Sequence, residues 1–399
     1  MNRKQLSFNI QYALMQGLYW LGFCACVAFA TVYMQHRGYT NTQIGLTLSL
    51  GNIIGVILSV WVAALADRLG RRGLFASLCA LVAGQLVFQA AFILIDGASL
   101  IIPVGYCLYV ALVNAGGGLV NQLSFELENE CGRVNFGAAR ALGSLFYSLG
   151  ATVIGVLLEK YSPSVLPVAA GCGMVGQLLL LILLFLQLGH STTAQTSRRK
   201  EESASSLSDF FRNNRRFTLM MLGMGILFFS QNMLISFFIN VVRAVGGTTG
   251  DMGRITGFMS IIEIPVMLLY ERISRRVSAP SAMRISSVGF VLKSLAFALA
   301  TSVAGLYGAC IFQLVSFALI TPASVKYADL YVPAQDAAKG QTVAFAVTTL
   351  ASVFAGSVGG ILFDSMSTRA ALLVATAVAV VGAAVCIAFS KPAYERTEA

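Results

Sequence analysis

Charge is the scarcest property of this sequence. Asp, Glu, Lys and Arg make up 11% of its 399 residues, where soluble domains carry about 25%. So little charge cannot cover the surface of a water-soluble protein of this length, which excludes one. Histidine is rarer still. His36 and His190 both fall in segments read as loops, so neither is placed to carry a proton through an apolar helix. The eight cysteines show no metal-ligand spacing, and all but Cys131 lie inside apolar runs. They read as small core residues with no disulfide and no metal. No Gly-Lys-Ser/Thr phosphate cradle, paired acids or His-rich face is present, so the chain does not read as an enzyme and no cofactor is expected. The longest polar stretch is too short to fold a sensor domain. The opening MNRKQLSFNIQYALMQ has polar Asn9, Gln11 and Gln16 where a signal peptide would be apolar, and no small-residue cleavage site, so none is expected.

What the chain has instead is 57% apolar residues and a mean hydropathy of +0.78. A membrane-spanning helix needs about 20 mostly apolar residues. The runs place six spans at 9–34, 41–66, 73–95, 99–122, 138–158 and 164–188. Six more lie at 216–241, 251–272, 280–300, 303–327, 338–362 and 368–390. The expected fold is therefore an all-α membrane protein of twelve transmembrane helices in two six-helix halves, 1–189 and 216–399. A polar, Ser-rich cytoplasmic linker, 190–215, joins them. The net charge of +10 is read by position, because basic residues mark cytoplasmic loops and not, here, a nucleic-acid partner. Arg68, Arg71, Arg72, Arg198, Arg199, Lys200, Arg212, Arg215, Arg216, Arg272, Arg275 and Arg276 fall on one side. Arg37, Lys160, Arg243, Arg254 and Arg369 fall on the other. The bias predicts that both termini face the cytoplasm. Arg140, Lys293 and Lys326 remain within helices.

The halves repeat. ADRLGRRG follows the second span and YERISRRV the eighth. Both read acid-Arg-x-x-Arg-Arg, as Asp67, Arg68, Arg71, Arg72 and as Glu271, Arg272, Arg275, Arg276. The fifth span ends GATVIGVLLE and the eleventh GSVGGILFD, each closing on glycines and then an acid. Two similar halves in parallel orientation are a transporter plan, with the solute bound near mid-membrane.

ADRLGRRG resembles the signature loop of the major facilitator superfamily, with Ala63 where the family carries glycine. The twelve-span plan, the linker and the second copy of the loop extend the resemblance over the whole chain. NFGAARALGSLFYSLG, residues 135–150, is similar to the start of helix five in the lactose permease-like branch. That likeness implies that Arg140 contacts a sugar and that Tyr147 stacks on it, with Lys293 matching the branch's helix-nine cation. The permease's helix-ten His and Glu are not matched, since the stretch offers Gln313 and Ser316. The helix-four glutamate falls near Gln122, with Glu126 a turn further on. IEIPVMLLYERISRR resembles the sugar-efflux branch, which leaves the direction of transport open.

Glu263 is the one acid near the middle of a predicted span. A charge within hydrocarbon costs several kcal/mol and so faces a protein interior or an aqueous cavity. Glu263 and Lys293 lie at depths differing by under ~10 Å at 1.5 Å per residue. They read either as a proton-coupling pair or as a fixed pair joining helices eight and nine. Candidate solute contacts are Arg140, Ser144 and Tyr147 on one stripe of helix five, with Gln16, Tyr19, Asn114, Gln122, Asn232, Ser260 and Gln313. Amides beside aromatic faces suit hydroxylated ligands, and the alternative for each amide is polar glue between helices. Arg140 itself either turns inward to the solute or snorkels. The two signature loops read as gates, or as positive-inside anchors, because arginine near a helix C-terminus bonds its free carbonyls. The function expected is secondary active transport of a small polar solute, a sugar or glycoside, by proton symport. The alternatives are efflux of sugars or drugs by proton antiport, and uncoupled facilitation. The expected partners are the solute, the proton and the lipid bilayer, for a multi-pass monomer in a bacterial cytoplasmic membrane.

Overall fold

The computed structural model describes residues 3–95, 97–132, 134–188, 207–333 and 336–390. Among these, every regular element is helical. First come α1 (Arg3–Val27), α2 (Ala30–His36), α3 (Asn41–Leu94), α4 (Ile101–Cys131), α5 (Phe136–Lys160) and α6 (Leu166–Leu188). Then follow α7 (Leu207–Asn213), α8 (Arg215–Ser236), α9 (Phe238–Ala244), α10 (Thr249–Ser274) and α11 (Ala279–Leu299). The last are α12 (Val303–Cys310), α13 (Phe317–Tyr331), α14 (Ala337–Ser365) and α15 (Thr368–Phe389). Residues 190–206 of the predicted linker, with His190, Arg198, Arg199 and Lys200, lie outside the described residues.

Among the described residues, eleven helical stretches are long and apolar enough to cross a bilayer. The stretch Asn41–Leu94, α3, holds the second and third spans, expected at 41–66 and 73–95, as two helices that meet at a kink. Its 54 residues are more than twice the about 20 that one span needs. Its break is Gly70, at φ 63° and ψ −149°, where any side chain would be strained. Counted so, the described residues hold twelve spans.

Other boundaries differ. The span expected at 9–34 begins at Arg3 and breaks after Val27, with Phe29 non-helical at φ −102°, ψ 4°. The span expected at 216–241 breaks at Phe237 (φ −115°, ψ 24°). Helix α4 runs past 122 to Cys131 because Glu126 and Glu130 are held by Arg71. Within the expected linker, α7 is ordered by Phe210, which is fully buried with its ring 6.2 Å from that of Phe217. The span expected at 303–327 is α12, a 3-10 turn at Ile311–Gln313, and α13.

Caps set several starts. Thr40 and Gln43 form a capping box on α3, and Asn135 accepts from the Ala138 amide at 3.0 Å to start α5. Ser278, Ser302 and Ser367 do the same for α11, α12 and α15.

Exposure runs opposite to that of a soluble protein. Trp61, Leu94 and Leu100 are 76%, 81% and 84% exposed, whereas Gln16, Lys293 and Gln313 are 1%, 2% and 3% exposed. Lipid-facing apolar side chains around a polar interior are what a bilayer solvent selects.

The chain divides into two compact units, Met1–Ser197 with Thr248–Ile261, and Arg198–Gly247 with Ile262–Ala399. In the first, α3 lies along α4 and α1 along α5. The early turns of α10 belong here: Ser148 Oγ donates to Gly257 O at 2.8 Å, and Arg254 lies 3.6 Å from Glu159. In the second, α8 packs on α14 and α15, and α11 on α13 and α15.

Candidate functional site

Each unit contains a buried polar cluster. In the second unit the cluster forms where a spanning helix fails. Between α12 and α13 the chain takes a 3-10 turn, and Ser316 sits at φ −92°, ψ −96°, outside helical values. Gly289 on α11 faces this break, and a Cβ there would stand 3.0 Å from Val315 O. The glycine lets the broken segment approach, and Lys293 follows one turn along the same face of α11. Lys293 Nζ donates to Gln231 Oε1 on α8 and to Gln313 Oε1. Gln313 Nε2 in turn donates to Glu263 Oε1 on α10.

The polarity of this array is consistent throughout. The ammonium, which only donates, meets two carbonyl oxygens, and the carboxylate, which only accepts, meets an amide N–H. Burying a charge is costly unless it is paired and hydrogen-bonded, and one glutamine amide connects cation to anion. Gln231, 3% exposed, keeps its Nε2 without a hydrogen-bond partner among the described residues, leaving a buried donor beside the lysine. Ser230 and Thr376 both bond the Ser294 hydroxyl, at 3.1 and 2.9 Å, tying α8 and α15 to α11 next to Lys293. Asn232 turns away and donates to Ser352 Oγ at 2.8 Å.

In the first unit the cluster centres on Arg140. Its Cζ lies 3.8 Å from the Trp20 ring centroid. Trp20 Nε1 donates to Gln16 Oε1 at 3.3 Å, and Gln16 Nε2 reaches Tyr12 OH at 2.8 Å and Asn121 Oδ1 at 3.0 Å. Ser144 and Tyr147 are half-buried on the same helix, and Ser144 Oγ bonds back to Arg140 O at 3.5 Å. Tyr19 OH donates to Val113 O at 3.2 Å.

The remaining sequence candidates lie apart from these clusters. Asn114 donates to Asn52 at 2.8 Å, Gln122 to Asp67 at 2.9 Å, and Ser260 to Thr256 O at 3.2 Å. Gln122 therefore belongs with the signature loop. Two contributors were not among the expected solute contacts. Trp20 carried a signal, since it stands four residues after Gln16 on one helical face. Gln231 carried none that separates it from its neighbour Asn232.

The two signature loops differ in their surroundings. Arg71 is buried, with Nε 3.2 Å from Glu126, Nη2 2.7 Å from Glu130 and Nη1 3.4 Å from Leu188 O at the end of α6. Asp67, Arg68 and Arg72 are exposed, and in the second copy so are Glu271, Arg272, Arg275 and Arg276. Lys326 donates to Ser274 at 3.3 Å beside that second loop. Removing one partner of a buried ion network costs about 3 kcal/mol. Arg71→Ala is therefore expected to lower the detergent-solution Tm by several degrees. Its counterpart Arg275→Ala, at an exposed position, is expected to change stability by ~0.5 kcal/mol or less. Equal Tm values for the two variants would contradict this asymmetry.

The comparisons with known proteins agree with the fold. The model of the MFS_1 like family matches residues 11–374. The chain belongs to this family. It is a multi-pass membrane transporter and not an enzyme. Among solved structures it is similar to the nucleoside transporter NupG (D323A mutant), at 16% identity and TM-score 0.77, covering 96% of this chain and 100% of that one. It is also similar to a bacterial homologue of the human lysosomal transporter Spinster in an inward-facing, unoccupied conformation, at 14% identity and TM-score 0.70, covering 98% of both chains. A POT family transporter in complex with a thioalcohol-conjugated peptide aligns at 12% identity and TM-score 0.72 over 94% of both. No curated protein sequence matches it.

Proposed function

We propose that this family member is a proton-coupled symporter for a small hydroxylated solute, a sugar, glycoside or similar compound. It would work as a monomer by alternating access in a bacterial cytoplasmic membrane, with both termini in the cytoplasm. The observation that carries this reading is the Glu263–Gln313–Lys293 array. Glu263 is half-buried on a spanning helix and is joined to Lys293 through the Gln313 amide. When the carboxylate takes a proton, the array loses its anion, and the Gln313 amide no longer has a charged acceptor to hold it. The solute then competes for the polar groups of the array, with the open Gln231 Nε2 donor as one point of contact. Arg140, Ser144 and Tyr147 would supply contacts from helix α5. The loops at Asp67–Arg72 and Glu271–Arg276 would act as gates, making helix-end contacts in one conformer and breaking them in the other.

The test is uptake by proteoliposomes from a panel of mono- and disaccharides, glycosides and nucleosides, the last because a similar structure is a nucleoside transporter. With one proton per solute, an inside-alkaline gradient is expected to accumulate solute about tenfold per pH unit. Equilibration that ignores the gradient would make the protein a facilitator. Accumulation only under the opposite gradient would make it an antiporter used for efflux.

A further inference from the structure

We propose that Trp20 is the positioning residue for Arg140: the indole face fixes the guanidinium where it meets the solute. This rests on the reading of Arg140 as a solute contact. An arginine on a spanning helix has many rotamers, most of them pointing along the helix or toward lipid. Contact with an aromatic face favours one of them. Here the contact distance is 3.8 Å.

The indole is itself fixed from three sides. Beneath it is Gly143, where a Cβ would stand 2.7 Å from Trp20 Cδ1. Arg140 and Gly143 are three residues apart, hence on one face of α5. Together they form a slot: the missing side chain admits the ring and the arginine closes over it. At the ring edge, Nε1–H is held by Gln16, which is 1% exposed and uses its oxygen and nitrogen on Trp20, Tyr12 and Asn121. Behind it pack Phe23 at 5.1 Å and Tyr19 at 5.5 Å between centroids, the latter edge-on at 87°. A line of contacts thus runs from Asn121 on α4 through Gln16 and Trp20 on α1 to Arg140 on α5. Gln16 serves in it as a support for Trp20, and the ring face over which Arg140 lies is taken by the guanidinium and not by a sugar ring.

The chain has two tryptophans, and the other, Trp61, is 76% exposed on α3. Trp61→Phe therefore makes Trp20 the only indole and the natural parent for the test. The first measurement needs no solute. Acrylamide quenching of Trp20 fluorescence is compared with Arg140→Ala added to this parent. Uncovering the ring face is expected to raise the quenching constant at least about twofold, and an unchanged constant overturns the proposal.

The second measurement is proteoliposome uptake of whichever of uridine and methyl β-D-galactoside the parent takes up. Trp20→Leu is expected to raise KM about tenfold and Trp20→Phe about threefold, with Vmax within about twofold of the parent. Loss of Vmax without a KM change, or equal effects of Phe and Leu, overturns the proposal. If the parent takes up neither probe, it is the sugar-like solute reading that fails, and the quenching result alone then decides the stacking of Arg140 on Trp20.

Discussion

Glu263→Gln is expected to abolish solute accumulation under an inside-alkaline gradient while leaving solute exchange across the membrane intact. The substitution keeps the side chain's volume and leaves a carbonyl oxygen to accept from Gln313 Nε2. It removes the one carboxylate of the array. Wild-type accumulation is expected to scale with the imposed pH gradient. The variant is expected not to accumulate solute under that gradient, because its amide takes up no proton there. The effect on accumulation is all-or-none, a loss of the whole tenfold gain per pH unit. Counterflow, which needs no net proton movement, serves as the control for folding and binding. Gradient-driven accumulation by the variant would show that Glu263 is a fixed partner of the array and that coupling resides elsewhere.

The second large effect is on stability. Lys293 is 2% exposed and holds two amide oxygens, with Glu263 reached through one of those amides. Lys293→Ala removes the cation and leaves a carboxylate and two carbonyls to be satisfied in an apolar interior. The expected cost is about 3–5 kcal/mol. At roughly 2–4 °C per kcal/mol for a unit of this size, Tm falls by about 10 °C. The double variant Lys293→Ala/Glu263→Gln removes both charges together, so it should recover more than about 1 kcal/mol of the sum of the two single losses. Additive losses would mean that the glutamine amide does not transmit an interaction between the two ends.

Lys293 and Glu263 stood out in the sequence because a charge inside an apolar run is too costly to keep without a partner or a task. Their approximate depths followed from helical rise alone. Gln313 was singled out as polar, but its place between the two depends on a helix break. Nothing in IFQLVSF announces a 3-10 turn, because no proline or glycine falls there. The reason for the approach is Gly289, far away in sequence. The spans were readable from composition, apart from their breaks and from the junction at Gly70. There the arginines of ADRLGRRG suggested a loop, yet most of those residues continue the helix on either side of one left-handed glycine. The amides were the least legible. Asn114, Gln122 and Asn232 each looked like a solute contact, and each is bonded within the protein, to Asn52, Asp67 and Ser352 respectively. Hydrogen-bond partners are a property of facing helices, and a single sequence does not say which side chains face each other.

The unequal surroundings of the two signature loops bear on how the molecule comes apart. Arg71 joins the break in α3 to the ends of α4 and α6 through two carboxylates and a carbonyl, whereas Arg275 stands exposed. Local opening occurs first where few buried contacts must break. Backbone amides around 270–277 should therefore exchange with deuterated solvent well before those around 66–73, although the two segments descend from one pattern. A duplicated sequence has thus yielded one clamped helix junction and one that frays, and amide exchange would tell them apart in a protein that has bound nothing.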